Sequence, residues 1–211
     1  HRMIRPIGDL VSACFYNGSL QNVNDKPDPW LVRGQVMPKP VTWFSTAKCE
    51  DRREDERRDG GRREFRNFAE LHVIEKILRR LQFAASQRGA GYEVVMLSGY
   101  GAQVRELEHL TLRITHEIPD LRILSGTVDS FQGREADVAI YSVTRSNDSG
   151  EIGFLKERER LNVALSRAKV GLAIVGDSHF CDHVRGENPF NDVLAYIRAH
   201  PGDCSIEDAS A

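Results

Sequence analysis

Thr127-Val-Asp-Ser-Phe-Gln-Gly-Arg-Glu-Ala-Asp137 runs straight into the β-branched stretch Val138-Ala-Ile-Tyr-Ser-Val143. Arg160-Leu-Asn-Val-Ala-Leu-Ser-Arg-Ala-Lys169 follows, and then a second short apolar run, Val170–Val175. The two apolar runs have the length of buried strands. Between them Leu161, Ala164, Leu165 and Ala168 recur at helical spacing, which predicts a helix from about Lys156 to Ala168. Arg160 and Arg167 would then stand two turns apart on one face. Strand, helix, strand in this order is the building unit of a parallel sheet.

The same alternation extends outward. Tyr92-Glu-Val-Val-Met-Leu97 is a short apolar run bounded by turn residues, as in a buried parallel strand. A further strand leads through Ile123 into Thr127, and Val41-Thr-Trp-Phe-Ser-Thr46 has strand composition. Helical stripes cover Ile7–Phe15, Phe68–Leu81 and Val104–Ile114, and Phe190–Ala199 makes a closing helix with Pro189 in its first turn. Asn67 and Glu70 have the spacing of a capping box. The expected fold is therefore α/β, three layers, with a mainly parallel sheet and helices on both faces. One domain spans 1–200, followed by a frayed polar tail, 201–211. Gln21–Pro40 reads as a long loop. Cys49–Arg66 mixes charges around Gly60-Gly61 and reads as a mobile, solvated loop. A phosphate contact through its arginines is the competing reading, opposed by the interleaved acids.

With 211 residues, the chain can bury a sizeable core. Its 29 Lys plus Arg against 31 Asp plus Glu argue against a broad basic surface for wrapping duplexes. No apolar run is long enough to cross a bilayer, and no basic-then-apolar leader opens the sequence. Four scattered cysteines form no CxxC pair, which suits reduced thiols inside a cell, in cytoplasm or nucleus. His179-Phe-Cys181-Asp-His183 lacks a second ligand pair at finger spacing, so no metal site is expected.

Chemistry concentrates at strand ends, where parallel sheets bind ligands. Gly133 lets backbone N–H groups approach a phosphate, and the Glu135 carboxylate can accept from ribose hydroxyls. An ordinary tight turn carrying a surface acid is the plain alternative for Gln132-Gly133-Arg134-Glu135. A guanidinium on a rigid helix, as Arg160 and Arg167 would be, can stabilise charge on a transferring phosphoryl group, and a surface salt bridge is the plain alternative. Hydroxyl and backbone N–H groups at a strand end, as at Ser98 after the Tyr92–Leu97 strand, can bind a phosphate, and a tyrosine ring such as that of Tyr100 can pack on a sugar or base; a polar loop is the plain alternative.

Taken together, Thr127–Asp137 and Arg160–Lys169 resemble motifs V and VI of superfamily 1 helicases, in the branch of the up-frameshift and DNA-replication helicases. Ser98-Gly-Tyr100-Gly-Ala-Gln103 resembles motif IV, with Ser-Gly in place of Thr-Pro. His1-Arg2-Met3 resembles the Tyr-Arg-Met-His-Pro segment, with His1 for the tyrosine and the His-Pro pair displaced to Ile4-Arg5-Pro6. The resemblance implies a second RecA-like motor lobe. ATP with Mg²⁺ would lie between this lobe and a first one in the same full-length protein. Arg167 and Arg2 would touch the γ-phosphate; Gln132, Gly133 and Glu135 would hold the nucleotide; Ser98, Tyr100, Thr127 and Ser130 would grip single-stranded DNA or RNA. Family members of this branch move 5′ to 3′. The Walker lysine belongs to the first lobe, and no G-x-x-x-x-G-K-[ST] occurs in the sequence. The chain alone is therefore expected not to hydrolyse ATP. A non-catalytic module of the same fold, for single-strand binding or protein docking, is the alternative.

Overall fold

The computed structural model describes residues 3–21, 26–32, 36–131 and 134–210. In chain order, α1 (Arg5–Phe15) and the one-turn α2 (Pro29–Val32) lead to β1 (Val41–Ser45) and the pair β2 (Asp55–Asp59) and β3 (Arg62–Arg66). Then come α3 (Phe68–Arg88), β4 (Tyr92–Ser98), α4 (Gly101–Ile114), β5 (Leu121–Thr127) and β6 (Ala136–Ser142). The chain closes with α5 (Arg158–Leu165), β7 (Ala168–Gly176), α6 (Ser178–His183), α7 (Pro189–Ala199) and β8 (Cys204–Asp208).

Six strands form one sheet in the order β5-β4-β6-β7-β1-β8. Every pairing within it is parallel. The period-2 alternation of β6 explains the three layers. Val138 and Ile140 face one core, shared with α3, α4 and Leu31 of α2, while Ala139, Tyr141 and Val143 face the other, shared with α1, α5 and α7. Trp43 of β1 is fully buried in the second core, edge-on to Phe190, and its indole N–H donates to the Gly176 carbonyl at 2.9 Å. Helices cover both faces, as the sequence alternation implies.

Four local expectations need correction. The 201–211 tail is not frayed throughout: Cys204–Asp208 pairs with the free edge of β1 as the sixth strand, and Cys204 is buried. An edge strand needs only one apolar side toward the core, so a polar composition does not exclude it. The charged stretch 49–66 contains an antiparallel hairpin, β2–β3, in place of a structureless loop. Gly60 and Gly61, with φ of 55° and 84°, supply the two left-handed residues of its turn. The long loop 21–40 contributes core residues, since Leu31, Val36 and Met37 are buried and Met37 and Leu31 pack where Gly171 leaves room. The helix expected to reach Ala168 ends at Leu165, and Ala168 already opens β7. Arg167 thus sits on the turn between them and shares no helix face with Arg160.

Candidate nucleotide and nucleic-acid edges

The segment after β5 travels from one edge of the sheet to the other. Thr127 ends β5 level with Ser98 at the end of β4. A 3-10 turn, Asp129–Phe131, anchored by buried Val128 and Phe131, carries the chain back toward Ala136 at the start of β6. The sequence-derived site residues therefore split between two edges, where the carboxyl ends of strands were expected to carry both Ser98–Tyr100 and Thr127–Glu135.

At the amino ends of β6 and β7, Glu135 and Arg167 come together. Ala136 and Ala168 are register partners, and the Ala136 N–H donates to the Arg167 carbonyl at 3.0 Å. The Arg167 guanidinium is held by backbone and hydroxyl groups. Nε donates to the Val163 carbonyl at 2.8 Å, Nη1 to the Arg134 carbonyl at 3.0 Å and Nη2 to Ser166 Oγ at 2.9 Å. Three of five N–H donors are used in this way, and two remain for an outside acceptor. Among the described residues no carboxylate pairs with Arg167, whose charge is held in place by carbonyl and hydroxyl oxygens. Arg134 and Glu135 are exposed beside it. Arg160, by contrast, pairs with Asp129 at 3.3 Å and Glu157 at 3.2 Å. Arg2, Gln132 and Gly133 lie outside the described residues. Ile4 donates its N–H to the Lys169 carbonyl at 2.8 Å, which ties the start of the chain to the start of β7.

At the carboxyl ends, Thr127 is half-buried and Ser130 exposed. Ser130 Oγ donates to the Thr127 carbonyl at 2.8 Å, a tight hydroxyl-bearing turn. Ser98 and Tyr100 do not face outward. Ser98 is fully buried, with its hydroxyl 2.8 Å from that of Thr144. Tyr100 is 6% exposed, its ring packed on Phe154 and Phe65 and its hydroxyl accepting from Arg145 Nη1 at 3.0 Å. Both side chains spend their polar atoms on the interior, which corrects the expectation that they touch nucleic acid directly.

That interior is a polar network the sequence reading missed. The Glu70 carboxylate accepts from Ser142 Oγ at 2.5 Å and from the Thr144 N–H at 2.8 and 2.9 Å. Thr144 has a φ of 73°, a left-handed backbone uncommon for a β-branched residue, and these bonds hold it there. Asn67 caps α3 by accepting from the Glu70 N–H at 3.1 Å. The reciprocal half of the capping box is absent, because Gln103 Oε1 takes the Asn67 N–H at 2.9 Å while Glu70 turns inward. Arg145 is 3% exposed, donates Nε to Glu54 Oε1 at 3.0 Å and lies 4.2 Å over the Phe65 ring. One signal was available. Glu70 stands in phase with Ile74, Ile77 and Leu81, an acid on an apolar stripe.

Burial pushes the Glu70 carboxyl up from its ordinary 4.5 to about 8, against the hydrogen bonds from Ser142 and Thr144 that pull it down. The folded state thus holds a proton that the unfolded chain releases. The stability this contributes is complete below pH 4.5 and is lost as pH rises through about 8. Glu70→Gln, which keeps the shape and cannot ionise, should flatten the fall in unfolding midpoint over that window. A denaturation series in which wild type and variant keep the same slope would contradict this.

Cys181 of the metal-like cluster is buried while His179 and His183 are exposed and stack on each other at 4.3 Å. Among the described residues no helix is long and apolar enough to cross a membrane.

The AAA domain family model matches residues 1–179. The chain is 32% identical over 188 residues to DNA-binding protein SMUBP-2 of Rattus norvegicus, covering 85% of this chain and 18% of that protein. It is 37% identical over 190 residues to DNA polymerase alpha-associated DNA helicase A of Saccharomyces cerevisiae, covering 84% and 26%. It is 30% identical over 185 residues to the ATP-dependent helicase NAM7 of the same yeast, covering 84% and 18%. The chain thus spans between 18% and 26% of the length of these relatives.

Proposed function

Because the chain belongs to the AAA domain family of superfamily 1 helicases, we propose that it is the second RecA-like lobe of an ATP-dependent 5′-to-3′ translocase on single-stranded nucleic acid. One observation carries the reading. Two stretches about 30 residues apart in sequence meet at neighbouring strand starts, where Arg167 is locked onto the Arg134 carbonyl next to exposed Glu135. A cation held by carbonyls, with donors left over, is prepared for an anion brought by something else.

In this reading the first lobe grips ATP and Mg²⁺, and supplies the phosphate-binding lysine. This lobe lends Arg167 and Arg2 to the γ-phosphate, and Gln132, Gly133 and Glu135 to the terminal phosphate region and ribose. The opposite edge, at Thr127 and Ser130, binds the strand, with Ser98 and Tyr100 as the buried support beneath it. Separate edges let nucleotide-driven closure at one side move the grip at the other.

The test has two parts. Full-length protein should turn over ATP faster when single-stranded DNA or RNA is added. The 211-residue chain alone should show no turnover under the same conditions. Robust hydrolysis by the chain alone, or full-length protein indifferent to both nucleic acids, would overturn the assignment. The second outcome would favour a docking module of the same fold.

A further inference from the structure

The β2–β3 hairpin separates its charges along its length. Its base carries Asp55, Glu56 and Glu64 against Arg66, while its distal part, residues 57–63, carries four arginines against Asp59 alone. A surface charged only for solubility mixes its signs.

The base is firmly seated. Phe65 is buried edge-on against Tyr100, with ring centroids 5.3 Å apart, under the Arg145 guanidinium. Arg66 pairs with Glu106 at 2.7 Å, and Arg105 with Glu64 at 2.5 Å, which fastens the other face to α4. The distal part is exposed, and the register sets Arg58 directly opposite Arg63. Like charges directly across a strand pair destabilise it. Arg63 is neutralised by Glu56 at 2.6 Å and Arg57 by Asp55 at 2.9 Å. Arg58 and Arg62 have no ion pair among the described residues. The turn between them is Gly60-Gly61, with no side chain to obstruct a backbone passing close by.

The arm also stands at the right edge. Its anchor Tyr100 follows Ser98, and Ser98 is in register with Thr127, one strand spacing away. Beyond the Phe65–Glu56 pair at that anchor, three residues per strand carry the arm on by about 10 Å.

We infer that the hairpin is a second grip on the nucleic-acid strand, in which Arg58 and Arg62 hold backbone phosphates beyond the Thr127–Ser130 turn. The contact is with phosphodiester charge and carries no base preference. It rests on the reading that this edge carries the strand.

The experiment uses full-length protein and labelled oligo-dT and oligo-rU, with binding followed by fluorescence anisotropy over a series of salt concentrations. R58E/R62E should weaken binding by about tenfold or more at low salt. It should also flatten the log affinity against log salt slope by about 1.4, roughly 0.7 for each lost phosphate contact on a single strand. R58K/R62K keeps the point charges and should keep most of the affinity. Both variants should unfold within about 0.5 kcal/mol of wild type, since the substituted side chains are exposed. Unchanged affinity and slope in R58E/R62E, with wild type binding normally, would overturn the arm alone; that is also the result if its true partner is an acidic protein. Wild type binding neither oligonucleotide would remove the reading of the edge and the arm together.

Discussion

Arg167→Ala in the full-length protein is expected to lower nucleic-acid-stimulated ATP turnover by about 10³–10⁵-fold, the range for removing an arginine that stabilises phosphoryl transfer. The loss should fall on turnover and spare strand affinity, because Arg167 lies at the amino ends of β6 and β7 while Thr127 and Ser130 lie at the opposite edge. Arg167→Lys discriminates chemistry from packing. A lysine restores the charge but cannot keep the Val163, Ser166 and Arg134 contacts and also present a second pair of donors. It should therefore rescue turnover only in small part. The side chain is half-buried and the carbonyls it leaves can reach water, so the unfolding midpoint of either variant should move little. Turnover within about tenfold of wild type for Arg167→Ala would refute a role at the phosphate and leave this residue a local brace.

Glu54→Ala is expected to cost about 3–5 kcal/mol of stability, the typical result of stranding one member of a buried ion pair. Glu54 is the carboxylate for Arg145, and both side chains are nearly inaccessible, at 7% and 4%. It also accepts from the Ser146 N–H at 2.5 Å and from Asn147 Nδ2 at 3.1 and 3.2 Å. Removing it leaves a guanidinium between Phe65 and Tyr100 with no counter-charge, and leaves one backbone donor unpaired. The damage should spread to the hairpin, because Phe65 rests on that guanidinium. The double variant E54L/R145M removes both charges and should recover most of the loss. Chemical denaturation of both variants measures this directly. A single-variant loss below about 1 kcal/mol would mean that solvent reaches Arg145 more easily than its burial implies.

The layout of the sheet was legible because apolar runs of strand length and helical stripes report burial directly. Val138–Val143, Val170–Val175 and Tyr92–Leu97 became central strands, and the Phe68–Leu81 stripe became α3. The Thr127–Asp137 and Arg160–Lys169 motifs were equally legible, since each pattern is local. The hairpin was less so. Its stability comes from cross-strand ion pairs and from Phe65 on a distant ring, and charge composition alone reads as solvated chain. Gly60-Gly61 between two short runs was the one hairpin signal present. β8 escaped because its partner is the free edge of β1, over 150 residues away in sequence. The end of α5 was misplaced because Ala168 satisfies a helical stripe and a strand start equally well.

By itself the sequence determined the layers, the parallel order of strand and helix, and which residue types were available for phosphate chemistry. These depend on periodicity and on short motifs, which act within a few turns of chain. Only the tertiary structure decided that Glu135 and Arg167 share one edge while Thr127 and Ser130 hold the other. It also turned Ser98 and Tyr100 inward and joined Glu70, Thr144, Arg145 and Glu54 into one buried polar network. The reason is that burial and hydrogen-bond satisfaction depend on neighbours brought together by the sheet register, and no local pattern encodes which atoms those will be.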